Sequence, residues 1–262
     1  MSYAEVNGQR LYFEDTGGEA PPVIFSHGFL MDHEMFDRQV KELRDTHRVI
    51  TWDARGFGRT EFDGQPFSYW DSARDLLGLL DHLGISRAVL GGMSQGGYLS
   101  LRAALLAPDR VRALILIDTQ APPETDEKIA EYGMMVEAWL EHGYQQDLAE
   151  LVSGLIIGDP DEEPRWREKW AEWDPQRLWP ASTALLDRDD ISERLEEIDA
   201  PVLVIHGEND SAIPVDRAHD LVAALPEATG PVVIESAAHA PNLSHPEPVN
   251  QAIRGFLRQL PG

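Results

Sequence analysis

The stretch that most restricts how this chain can fold is Gly91-Gly92-Met93-Ser94-Gln95-Gly96-Gly97, where an apolar run gives way to a helix-forming one. Ahead of it, Arg87-Ala88-Val89-Leu90 reads as a short buried strand. Behind it, Tyr98 to Ala107 is rich in helix formers and is closed by Pro108. The spacing Gly92-x-Ser94-x-Gly96 is that of a nucleophile elbow, a strained strand-to-helix turn that lifts a serine hydroxyl above the end of a sheet. Glycine two residues to either side removes side chains that would collide in so tight a turn. A helix that starts there also points backbone N–H groups and its positive dipole end at any negative charge developing on that spot. Short motifs of this kind arise by chance, so the surrounding chain has to support it.

The remaining pattern does so. Arg10 to Asp15 reads as an early strand, and Pro22-Val23-Ile24-Phe25-Ser26 as a buried one that breaks at His27-Gly28. His47 to Asp53 is the next strand, followed by the glycine-rich turn Arg55-Gly56-Phe57-Gly58-Arg59, and Val111 to Asp118 is a further one. Met35 to Arg44 and Tyr69 to Leu83 show helical spacing of apolar residues between them. Val/Ile/Leu-rich strands alternating with helices predict a mostly parallel α/β sheet covered on both faces. From about residue 121 to 190 the pattern changes to helical stretches without a clear strand, and Trp139, Trp166, Trp170, Trp173 and Trp179 all fall there. We expect a helical cap inserted at 121–190 into a core formed by 1–120 and 191–262. Most of its tryptophans should knit cap to core, with one or two lining an apolar pocket above Ser94. The sheet pattern resumes with Pro201 to Gly207, a helix from about Val215 to Leu225, the strand Val232-Val233-Ile234-Glu235 and a last helix from about Pro248 to Leu260.

Charge narrows the partners. The net charge is −24 over 262 residues, and between Ala121 and Glu197 there are 21 acidic residues against 7 basic ones. Nucleic acid and anionic membranes both require clustered Lys and Arg, so neither is an expected partner. With no cysteine, thiolate and disulfide chemistry are excluded. The first residues lack a signal-peptide pattern and no apolar run is long enough for a membrane span, so a soluble, cytoplasmic protein is expected. A homodimer is compatible with all of this. No ligand spacing such as His-x-x-x-His stands out, and neither metal nor cofactor is expected.

A serine hydroxyl needs a base to become a nucleophile, usually a histidine held in one tautomer by a carboxylate. In a parallel sheet, these partners belong in loops just beyond strand ends. Strand Val202 to Ile205 leads into His206-Gly207-Glu208-Asn209-Asp210, and strand Val232 to Ile234 leads to Ala237-Ala238-His239-Ala240-Pro241. His245 competes for the base and Asp118 for the acid. The small-residue loop favours His239, and Gly207-x-x-Asp210 favours Asp210. Asp53 is better suited to bracing the turn around Arg55 than to chemistry.

With His27-Gly28, Asp53-Ala54-Arg55-Gly56-Phe57-Gly58, the Ser94 elbow, His206 to Asp210 and Ala238-His239 in that order, the chain resembles the α/β-hydrolase-fold enzymes over nearly its whole length. Within them it is similar to small capped serine esterases, 3-oxoadipate enol-lactonases and cofactor-free perhydrolases. The resemblance implies an eight-stranded, mostly parallel sheet with the cap after the sixth strand, and a triad of Ser94, Asp210 and His239. It implies an oxyanion hole from the backbone N–H groups of Phe29 and Gln95. It also places Leu30 and Met93, with Trp139 and Trp166 from the cap, around the acyl group. The loop reads His-Gly-Phe-Leu, not His-Gly-Gly-Gly, which by resemblance points to smaller acyl esters. The expected activity is cleavage of small carboxylic esters through an acyl-enzyme. Enol-lactone hydrolysis or perhydrolysis by the same triad is the alternative, and a ligand receptor on the same fold the non-enzymatic one. Ser94 in place of an aspartate excludes the dehalogenase and epoxide-hydrolase chemistries of this fold.

Overall fold

Apolar strand sequences bury both faces of the central strands of one eight-stranded sheet, ordered β1-β2-β4-β3-β5-β6-β7-β8, in a computed structural model that describes residues 2–260. The strands are β1 (Ser2–Val6), β2 (Gln9–Asp15), β3 (Pro22–Ser26), β4 (Arg48–Trp52), β5 (Ala88–Met93), β6 (Val111–Ile117), β7 (Val202–Gly207) and β8 (Ala228–Ile234). β2 runs antiparallel to both β1 and β4, and β3 to β8 are parallel throughout. Alternate residues feed two separate cores, as the pleat requires. Ile24, Leu90, Leu114 and Val204 face one, while Val23, Val89, Ile115 and Leu203 face the other. The first is closed by α2 (Tyr69–His82), α3 (Gln95–Leu106) and α8 (Asp216–Ala224), the second by α1 (Asp37–Leu43) and α10 (Pro246–Leu257). The α2 helix starts at a reciprocal capping box between Ser68 and Asp71, the sequence signature of a helix N-terminus.

Strand order dictates where a site can form. The chain leaves β3 for β4 on one side and then returns to place β5 on the other, pairing Ser26 with Gly92. Loops beyond β3 and β5 therefore diverge, and a crevice opens between them at the carboxyl ends of the strands. His27 to Phe29 and Ser94 stand on its two lips.

Between β6 and β7 the described chain is helical: α4 (Asp126–His142), α5 (Gln146–Ile156), α6 (Glu163–Glu172) and α7 (Leu178–Leu186). No described helix is long and apolar enough to cross a membrane. Two strands differ from expectation. β1 pairs with β2 across Asn7-Gly8, both at positive φ (49° and 79°), a tight hairpin turn next to a strand in which Ala4 and Val6 are the buried side chains. β8 begins four residues before Val232 and carries Pro231. It is an edge strand hydrogen-bonded only to β7, where a missing N–H is tolerated. The last helical region is divided into α9 (Pro241–Ser244) and α10, with His245 between them.

Candidate active site

Ser94 has φ 51° and ψ −116°, a conformation costly for any residue with a side chain, and it directly precedes α3. Its flanking glycines are enforced by space. A Cβ on Gly92 would lie 2.1 Å from the Gly96 carbonyl, and one on Gly96 would lie 1.9 Å from the Ser26 oxygen. The elbow is thus pressed against the end of β3, which brings the serine to the crevice.

The two other sequence-predicted residues lie together. His239 Nδ1 is 2.6 Å from Asp210 Oδ2, and Asp210 Oδ1 accepts from the backbone N–H groups of Ala212 and Ile213 at 2.8 and 2.9 Å. Burial opposes the charge on Asp210, but His239, His206 and the Ile213 N–H outweigh it and hold the carboxyl far below its ordinary range. An ionised Asp210 fixes the proton of His239 on Nδ1 and leaves Nε2 with a free lone pair. His239 and Ser94 front the same cavity of about 280 Å³. The ring of His245, the rival base, bonds its neighbour Ser244 at 2.9 Å and is absent from the cavity wall.

Asp118, the rival acid, sits behind the Asp210–His239 pair. It is fully buried at the end of β6, with φ 43°, and its Oδ1 accepts from Gly207 N–H at 2.8 Å. Burial first, and then the charge of Asp210, push its carboxyl well above the usual range, so it is protonated where Asp210 is ionised. His206 joins them, 3.3 Å from Asp210 and 3.7 Å from Asp118, with its Nε2 donating to the Ile213 carbonyl at 2.8 Å. This buried group and the Asp32–His33–Asp53 group are the described clusters compact enough to suggest metal ligands. In the second, Asp53 Oδ1 already binds both the backbone N–H and Nδ1 of His33, and Oδ2 takes the Arg59 N–H. Asp53 therefore braces the turn; Arg55 pairs with Asp75 instead.

The Phe29 N–H makes no hydrogen bond within the described residues, and Gln95, as the first residue of α3, has no intrahelical acceptor for its own. These are the two expected oxyanion donors. The loop carrying Phe29 is held from three sides. His27 bonds the Gly28 carbonyl through Nδ1 at 2.8 Å and accepts the Ala54 N–H at 3.0 Å. Leu30 adopts φ 63°, and its carbonyl accepts from the Trp170 indole at 2.7 Å.

Leu30, Met93 and Trp139 line the cavity as expected. Trp166 does not. Positions 166 and 170 share the inner face of α6, and Trp166 is buried there beneath Arg165 and Lys169, whose charges lie 5.6 and 4.9 Å from its ring. Trp139 stands between α6 and the cavity, packed edge-on against Trp170. Trp179 is exposed. Glu124, Lys128 and Tyr132, which the sequence reading passed over, also line the cavity. Their three- and four-residue spacing into Met135 and Trp139 was the available signal.

The geometry and the relatives agree on the class. The sequence model described as the alpha/beta hydrolase fold matches residues 21–246, and the chain belongs to that family. A thermophilic esterase from Thermogutta terrifontis superposes with a TM-score of 0.89 at 31% identity, over 99% of this chain and 98% of that one. The enol-lactonase from Burkholderia xenovorans superposes with a TM-score of 0.89 at 26% identity, over 98% and 100% of the two chains. A pimeloyl-[acyl-carrier protein] methyl ester esterase from Aliivibrio salmonicida is 27% identical over 95% of this chain and 96% of its own. The protein is a hydrolase of the α/β-hydrolase family.

Proposed function

We infer that the protein hydrolyses small carboxylic esters through a covalent acyl-enzyme on Ser94. The observation that carries this reading is a serine on a strained elbow sharing one cavity with a histidine whose far nitrogen is 2.6 Å from an ionised, buried aspartate. In the reaction, His239 Nε2 takes the Ser94 proton as Oγ attacks the ester carbonyl. The Phe29 and Gln95 N–H groups hold the oxygen that becomes negative, each such donor contributing about 3 kcal/mol of transition-state stabilisation. The intermediate collapses by breaking the bond to the alcohol oxygen, which leaves with the proton from His239. Water, deprotonated by the same histidine, then attacks the acyl carbonyl, and the acid departs as Ser94 recovers its proton. A cavity of about 280 Å³ supports small substrates, since it lies just under the range of about 300–1,000 Å³ typical of drug-sized ligands.

Enol-lactone hydrolysis is the second reading, favoured by the likeness to the Burkholderia enol-lactonase. It needs the same triad, so the two differ only in substrate. A panel of short p-nitrophenyl esters and an enol-lactone, assayed with wild type and Ser94→Ala, tests both. The expected result is ester turnover in wild type, its loss in Ser94→Ala, and a mass shift on Ser94 after phenylmethylsulfonyl fluoride. Full activity in Ser94→Ala refutes the mechanism, and activity confined to the lactone replaces the substrate class.

A further inference from the structure

The inner face of α4 changes chemical character along its length, and this change runs across the catalytic serine. Lys128, Tyr132, Met135 and Trp139 recur at three- and four-residue spacing and all line the cavity, with Glu124 just ahead of the helix. From Lys128 to Trp139 the face extends about 16 Å at 1.5 Å per residue. Its first half is polar and its second half apolar.

The two halves are tied to opposite sides of the site. Lys128 Nζ donates to the backbone carbonyls of Ser211, at 3.2 Å, and Ala212, immediately after the triad acid Asp210. Trp139 lies 6.1 Å from the Trp170 ring, whose indole holds the Leu30 carbonyl. The polar end therefore stands over the acid loop and the apolar end over the oxyanion loop, with Ser94 and His239 on the wall they share.

The charges at the polar end are engaged by the protein itself. Glu124 accepts at Oε1 from Arg188 at 2.9 Å and from Gln120 at 3.0 Å, which leaves Oε2 for the cavity that Glu124 lines. Arg188 is in turn buried, donating to the Leu185 and Pro122 carbonyls and lying 4.3 Å from the Tyr98 ring centroid. Lys128, the one Lys or Arg among the described residues lining the cavity, is held by its two carbonyls. An anionic substituent would meet the carboxylates of Glu124 and Glu131, with only Lys128, its Nζ turned to the Ser211 and Ala212 carbonyls, to answer it. A hydroxyl group would find a carboxylate acceptor and the Tyr132 phenol, which burial keeps protonated.

We propose that the substrate is an amphiphilic ester, with an aliphatic chain along Met135 and Trp139 on one side of the scissile carbonyl and a neutral, hydroxyl-bearing group held by Glu124 and Tyr132 on the other. This rests on the ester-hydrolase reading and adds which esters the site selects. It also separates the protein from a lactonase whose substrate carries a free carboxylate.

The test compares three butyrate esters by kcat/KM: glyceryl monobutyrate, 2-methylbutyl butyrate, in which methyl groups replace both hydroxyls, and the anionic butyryloxyacetate. We expect wild type to prefer the glyceryl ester over its carbon isostere about tenfold, two added hydrogen bonds each giving several-fold, and to turn over the anionic ester least well. Tyr132→Phe and Glu124→Gln should each lower the glyceryl-to-isostere ratio several-fold. The ratio matters because a purely structural disturbance depresses both esters together. Should Glu124→Gln fail to fold with Arg188 left unpaired, Tyr132→Phe still decides. A wild-type ratio of one or less, a ratio that Tyr132→Phe does not move, or a preference for the anionic ester overturns the proposal. If both neutral esters are cleaved equally well, this subsite falls and the ester reading stands. If no ester is cleaved, both fall.

Discussion

Asp118 gives the most discriminating test of the site's electrostatics, because its protonation can be read as a slope. Unfolded, an aspartate titrates near 3.9. Folded, burial and the neighbouring charge of Asp210 push Asp118 well above that, while Asp210 itself stays ionised. Between the two pKa values the native state binds one proton more than the unfolded chain, so raising the pH destabilises the fold by about 1.4 kcal/mol per unit until the folded pKa is reached. Asp118→Asn has no such penalty. Its oxygen keeps the Gly207 N–H bond that Oδ1 makes at 2.8 Å, and its amide is neutral at every pH. The variant should therefore gain on wild type by about 1.4 kcal/mol per pH unit from about pH 4 up to the folded pKa of Asp118. For a chain of this size each kcal/mol corresponds to about 2–4 °C in Tm. On the proposed mechanism Asp118 takes no part in the reaction, so ester turnover should stay within a few-fold. Asp118→Ala leaves the buried Gly207 N–H unpaired and should cost about 1–3 kcal/mol at low pH. Urea unfolding of the three proteins at pH 5, 7 and 9 reads the result. A wild-type–Asn difference that does not grow with pH would show that Asp118 is ionised in the native state and that the ordering of the two carboxyls is wrong.

Asp210→Asn should lower kcat by about 10³–10⁴-fold with little change in KM, since it removes the group that orients His239 and supports its positive form; steady-state kinetics on a short p-nitrophenyl ester checks this, and a loss under tenfold would point to Asp118 as the acid. Gly96→Ala should give insoluble or inactive protein, its Cβ lying 1.9 Å from the Ser26 oxygen. Gly133→Ala, at a position in α4 where a Cβ meets nothing within 4 Å, should instead stabilise by about 0.5–1 kcal/mol in thermal melts. Trp139→Ala should raise KM for hexanoate esters more than for acetate esters, whereas Trp166→Phe should leave both unchanged and cost little stability, because the Trp166 indole N–H is buried without a partner.

What could be read from the sequence follows from how locally each feature is determined. The elbow is local: two glycines are compelled by backbone contacts a few residues away and across one strand pair, so Gly92-x-Ser94-x-Gly96 has little freedom to look different. The parallel strands are equally legible, because burial on both faces demands unbroken apolar runs. β1 and β8 escaped in part because edge strands lack that demand. β1 buries Ala4 and Val6 only, and β8 accepts a proline in mid-strand. Asp210 and His239 are legible as candidate acid and base because each follows its strand by a few residues, so chain order alone places them at the crevice.

The cavity wall was harder to read for a different physical reason. Trp139 and Trp166 have the same composition signal, and both are buried. Which of them meets substrate depends on the order in which α4 and α6 stack over the core, a tertiary fact that no spacing within either helix encodes. Conversely, Lys128 and Glu124 read as two more charges in an acidic segment, yet each is drawn inward by a partner far off in the chain, the Ser211 carbonyl and Arg188 respectively. These contacts fasten both ends of the 121–190 segment to the loop that carries Asp210 and to Tyr98, one turn beyond Ser94. On the proposed mechanism, selectivity and catalysis share supports. A substitution that loosens Lys128 should disturb Asp210 through Ala212, whose N–H bonds the Asp210 carboxylate at 2.8 Å, and so should appear in kcat as well as in KM.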